Sequence, residues 1–86
     1  MIEDVDLGQR LVDGFADYYY SRKHYDDRGR ISLYAYPDEY YIKLYYRISE
    51  YPQGWLYEIK NNFIRLAKEY LSDAVPGWRV SIEIID

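Results

Sequence analysis

The chain has 86 residues, 49% of them hydrophobic and 30% charged, with a formal net charge of −4 and no cysteine. That length fills one core and excludes a second domain, so residues 1–86 are expected to form a single compact unit, and the composition excludes a disordered chain. The lack of thiols excludes disulfides, iron–sulfur clusters and thiolate zinc sites. No apolar run approaches the ~20 residues of a membrane span, and the acidic start Met1-Ile2-Glu3-Asp4 is unlike a signal peptide. The net negative charge gives no general attraction to nucleic acid or anionic lipid. A cytoplasmic protein with no membrane partner is expected.

Asp6 and Gln9 fit a capping box that opens a first helix. Leu7, Leu11, Phe15, Tyr18 and Tyr25 then repeat at helical spacing, flanked by Val12, Ala16 and Tyr19, with Arg10, Asp13 and Asp17 opposite. This helix is expected to end near Asp26-Asp27, ahead of Gly29. Gly8 and Gly14 weaken it by ~1 kcal/mol each relative to Ala, so both are candidates for close approach to another element.

Residues 30–36 alternate, Ile31, Leu33 and Ala35 against Ser32, Tyr34 and Tyr36. Residues 41–49 alternate likewise, Ile42, Leu44, Tyr46 and Ile48 against Tyr41, Lys43, Tyr45, Arg47 and Ser49. Both patterns predict half-buried strands. Pro37 suits the first corner of a type I turn and not a two-residue hairpin, which predicts a loop from Pro37 to Tyr40. That loop sets Tyr36 opposite Tyr41, Tyr34 opposite Lys43, Ser32 opposite Tyr45 and Arg30 opposite Arg47, with both apolar rows on one face.

After a break at Pro52-Gln53-Gly54, the apolar positions Leu56, Ile59, Phe63, Leu66, Ala67, Tyr70, Leu71 and Ala74 predict a long second helix, stopped by Val75-Pro76-Gly77. Tyr57, Ile64 and Leu71 lie at the edge of its apolar sector. Trp78, Val80, Ile82 and Ile84 then alternate with Arg79, Ser81, Glu83 and Ile85 in a third strand. The expected core is Ile31, Leu33, Ile42, Leu44, Phe63, Leu66, Val80 and Ile82, covered by Leu11 and Phe15. The order α-β-β-α-β predicts an α+β two-layer sandwich, a three-stranded sheet with two helices on one face. In topology this resembles a ferredoxin-like βαββαβ unit lacking its first strand, and Met1 to Val5 are candidates for a very short edge strand.

Catalytic chemistry finds little support. His24, the only histidine, follows Arg22 and Lys23 on the polar side of the first helix, where its partial charge meets the helix dipole. Without a second His or any Cys, Cys/His nucleophile pairs and multi-His metal sites are excluded. The acidic pairs Glu3-Asp4, Asp26-Asp27 and Asp38-Glu39 stand at turns and termini, where solvation and capping account for them. No glycine-rich phosphate cradle is present. A non-enzyme with no cofactor and no metal is expected. Asp and Glu exceed Lys and Arg by only 15 to 11, and the first helix ends in the basic cluster Arg22, Lys23, His24, Arg28 and Arg30, so a DNA-mimic surface is not the expectation.

The informative surface is the sheet face turned away from the helices. Of the 13 tyrosines in the chain, Tyr34, Tyr36, Tyr41 and Tyr45 fall on that face, with Lys43, Arg47 and Arg79 among them. Tyrosine favours strands and cross-strand pairing, yet four on an uncovered face exceed what pairing needs, and the residue is enriched in interfaces. The expected occupant is a protein, either a second copy docked sheet to sheet or a larger target. The alternative is single-stranded nucleic acid, with bases stacked on the tyrosines and phosphates on the cations. Arg28-Gly29 ahead of a strand carrying Tyr34 resembles the Arg/Lys-Gly-aromatic signature of RNA-recognition motifs. That resemblance covers only these residues: Arg30 and Ser32 stand where that family places aromatics, and the strand bearing its second motif is missing. Protein binding therefore ranks first. Small acidic chains without catalytic groups are often inhibitors of larger proteins, as in phage or viral anti-defence and anti-CRISPR proteins or toxin-neutralising immunity proteins. This chain is expected to act in that way, in the host cytoplasm if its source is viral.

Overall fold

A computed structural model describes residues 2–22, 29–48 and 53–85. The elements run α1 (Val5–Arg22), β1 (Gly29–Tyr36), a 3-10 turn (Pro37–Glu39), β2 (Tyr41–Ile48), α2 (Gln53–Ala74) and β3 (Arg79–Ile85). The expected end of the first helix near Asp26-Asp27, and with it His24, Tyr25 and Arg28, lies outside the described residues.

The cap of α1 is not the expected one. The Oδ1 of Asp4 accepts the Leu7 N–H at 3.0 Å, so Asp4 is the N-cap, and Asp6 sits inside the first turn. Gln9 turns to the Asp13 carboxylate at 2.9 Å instead of closing a capping box. The anchor is non-local: the Asp4 N–H donates to the Ala35 C=O at 2.8 Å, which fixes where the chain enters the helix.

The hairpin follows the expected register. Tyr36 faces Tyr41, Tyr34 faces Lys43, Ser32 faces Tyr45 and Arg30 faces Arg47 in an antiparallel pair. Pro37 opens the turn, and Tyr40 closes it in the left-handed region (φ 51°), its N–H donating to the Pro37 C=O at 3.2 Å. The second helix already begins at Gln53, so Gly54 falls within its first turn, where few intrahelical bonds depend on it. It stops where expected: Val75-Pro76-Gly77 forms a turn in which Gly77 supplies a positive φ of 82°.

β2 is the central strand, antiparallel to β1 and parallel to β3, giving the order β1-β2-β3. Parallel neighbours need a crossover, and α2 is that crossover. In a ferredoxin-like unit a first strand would separate these two. Here it is absent and they pair directly. Residues 2–4 do not replace it, since they form no strand and reach only the outer edge of β1.

The core lies between the sheet and the helices. The even residues of β2, Ile42, Leu44, Tyr46 and Ile48, are all buried. The Tyr46 ring stacks on Phe63 of α2, and Phe15 and Tyr19 of α1 meet Phe63 edge-on. Ile31, Val80 and Ile82, expected as core, pack against it but are only partly buried. They stand on the two edge strands, beyond which the described residues place no further strand. α1 approaches β1 at Gly8, where a side chain would press on the Leu33 C=O, its Cβ lying 3.3 Å away. At the edge of α2's apolar sector Leu71 is buried, whereas Tyr57 is 79% exposed.

Candidate functional site

The open face is built by strand parity. Odd residues of β2 and even residues of β1 share the side opposite the helices, because their neighbours in sequence are the ones that fill the core. In β3 Val80, Ile82 and Ile84 pack against the core, which leaves Arg79, Ser81, Glu83 and the partly buried Ile85 outward. The structure therefore brings Tyr34, Tyr36, Tyr41, Lys43, Tyr45, Arg47 and Arg79, all expected there, onto one surface.

Their rings and charges are ordered against each other. Tyr36 and Tyr41, opposite one another in the register, lie with ring centroids 6.1 Å apart and 22° from parallel. Tyr34 meets Tyr45 edge to face at 5.9 Å. The Arg79 guanidinium covers the Tyr41 ring at 4.7 Å, and the Lys43 ammonium lies 5.9 Å from the Tyr36 ring. Such contacts contribute ~0.5–1 kcal/mol each at exposed sites. They also hold long side chains in place, so less rotamer freedom is left to lose on docking. Arg79 also lies 4.0 Å from Glu39, the outer limit of an ion pair, with both side chains well exposed.

A shallow groove of about 650 Å³ runs over this face, lined by Tyr34, Tyr36, Lys43 and Tyr45 and flanked by Arg30, Arg47, Ser32, Glu3 and Ile85. Arg30, Lys43, Arg47 and Arg79 give this side four cations on a chain whose net charge is −4. Glu83, Glu39 beside Arg79 and the rim carboxylate of Glu3 are counterweights. Sequence reasoning missed Glu3. It precedes the cap, and the Asp4–Ala35 backbone bond, with the Ile2 N–H on the Asp38 carboxylate at 3.4 Å, brings it to the sheet, so no periodicity could have placed it.

Among the described residues no group of three or more His, Asp or Glu side chains gathers in a metal-binding cluster. No helix among them is long and apolar enough to cross a membrane. No protein-family model, curated protein or solved structure matches the chain. The functional reading therefore rests on the chemistry of this face.

Proposed function

We propose that the protein is a small non-enzymatic binding module that docks its tyrosine-rich sheet face on a larger protein and inhibits it, in the manner of anti-defence, anti-CRISPR-like or immunity proteins. The observation that carries this reading is the mutual ordering of Tyr34, Tyr36, Tyr41 and Tyr45 with Lys43 and Arg79 on a face no described helix covers. Rigid aromatic surface ringed by cations suits a protein partner: the aromatics supply buried area at low entropic cost, and the cations select an acidic rim. Tyr36 and Tyr41 stack on one another beside Lys43 and Arg79, and Tyr34 meets Tyr45 edge to face, so the rings engage each other instead of standing apart to receive bases, which favours protein over single-stranded nucleic acid. No cofactor or metal enters this reading, and the site of action is the cytoplasm.

The test compares immobilised parent with the Tyr36→Ala/Tyr45→Ala variant in a lysate of the source organism or its host. A partner held by the parent should bind the variant at least ~2 kcal/mol more weakly, as central aromatics of an interface do. Equal capture by both overturns the assignment of the face. Oligonucleotide binding that falls steeply with salt, and that Lys43→Glu/Arg47→Glu abolishes, would replace the protein reading with the nucleic-acid one.

A further inference from the structure

The two edges of the sheet are treated differently. The β1 edge is blunted: the Ala35 C=O is occupied by the Asp4 N–H, and Gly8 of α1 lies against the Leu33 C=O. The β3 edge carries no such protection. Arg79 donates to the Tyr40 C=O, so the odd residues of β3 aim their backbone groups at β2. By strand alternation the N–H and C=O groups of Val80, Ile82 and Ile84 point away from the sheet. No backbone partner takes them among the described residues. β3 has no Pro or Lys, none of its charges points toward the helix layer, and at seven residues it is longer than a typical blunted edge. Its side chains toward the helices are all apolar and remain partly exposed. Above it, the flank of α2 opposite the one that takes Tyr70 into α1 carries the exposed Tyr57 and the half-buried Ile64.

We propose that β3 pairs antiparallel with the β3 of a second copy, joining two sheets into one continuous sheet. A two-fold axis at Ile82 sets Ile82 against the partner's Ile82 and Val80 against the partner's Ile84. Every outward backbone group of the strand then meets one on the partner, and the apolar side chains of both copies stay on the helix side. The occupant is a second copy because the charges of β3 are complementary to themselves. Arg79 and Glu83 share the open face, and antiparallel pairing brings each Arg79 diagonal to the partner's Glu83. This contact is independent of what the tyrosine-rich face binds. It sets the two such faces side by side on one surface.

Sedimentation equilibrium tests the pairing. The parent should show a concentration-dependent dimer. Arg79→Glu and Glu83→Arg, each folded by circular dichroism, should each sediment as a monomer, since like charges then meet along the seam. An equimolar mixture of the two variants should recover the dimer, because one chain then carries only carboxylates along the seam and the other only guanidinium groups. Tyr36→Ala/Tyr45→Ala should leave the dimer intact. A parent that stays monomeric throughout the series, single variants that dimerise like the parent, or a mixture that stays monomeric overturns the proposal. So does a dimer lost in the tyrosine variant, which would place the contact on the sheet face.

Discussion

The hydroxyl of Tyr70, on α2, fills the space that a side chain at Gly14 of α1 would occupy; the ring's Cζ lies 3.2 Å from where that Cβ would be. The ring itself is held between Phe15 and Tyr18, at 5.8 and 5.4 Å. On helix propensity alone, Gly14→Ala should stabilise α1 by ~1 kcal/mol. Overpacking against a wedged ring costs ~1–3 kcal/mol, so the net expectation is a loss of ~1 kcal/mol. Tyr70→Phe removes the atom in closest conflict, and the double variant should recover part of that loss. Chemical denaturation of the three variants measures it, and a Gly14→Ala protein more stable than the parent would show that Tyr70 swings aside freely.

A second prediction concerns Phe63. Tyr46 of the central strand stacks on its ring at 4.3 Å, and Tyr19 and Phe15 meet it edge-on at 5.2 and 5.4 Å. Phe63→Ala should cost ~3–5 kcal/mol, enough to unfold much of a small domain whose total stability is ~5–15 kcal/mol. Tyr36→Ala, which removes only a cross-strand contact on the open face, should cost ~1 kcal/mol or less. Urea unfolding midpoints rank the two, and similar midpoints would place Phe63 outside the core.

The hairpin was legible because two local signals agree. Pro37 dictates the turn, and strict alternation dictates parity, so the pairing of Tyr36 with Tyr41 follows without any long-range information. The same parity separates Tyr46, which is buried, from Tyr45 and Tyr41, which are not. On the first helix periodicity resolves less. Tyr19, expected on the flank of the apolar stripe, is 1% exposed, because α2 and the sheet meet α1 on that side. Where β3 pairs was not legible either. A strand that follows a helix can join either edge, and direct parallel pairing with β2 is a tertiary outcome. The groove's rim escaped for the same reason, since Glu3 reaches it through a backbone bond between residues far apart in sequence.

The start of α1 offers the sharpest case, because Asp4 and Asp6 are both chemically competent caps and only one acts. The Asp4 carboxylate accepts the Leu7 N–H at 3.0 Å, whereas Asp6 can act only through the helix dipole. Asp4→Ala should cost ~1 kcal/mol, and Asp4→Asn should restore nearly all of it, since Asn caps about as well. Asp6→Ala should cost a few tenths of a kcal/mol at low ionic strength. Salt separates the two mechanisms. Raising ionic strength screens the dipole contribution of Asp6 and should erase its effect, while the loss from Asp4→Ala persists because a hydrogen bond is missing. The backbone bond from Asp4 to Ala35 survives all three substitutions, so the entry of the helix onto the sheet is unchanged and the comparison isolates the side chain. Thermal melts at low and high salt provide the measurement. If Asp6→Ala proves the costlier change at both, the cap is at Asp6 and the helix begins two residues later than described.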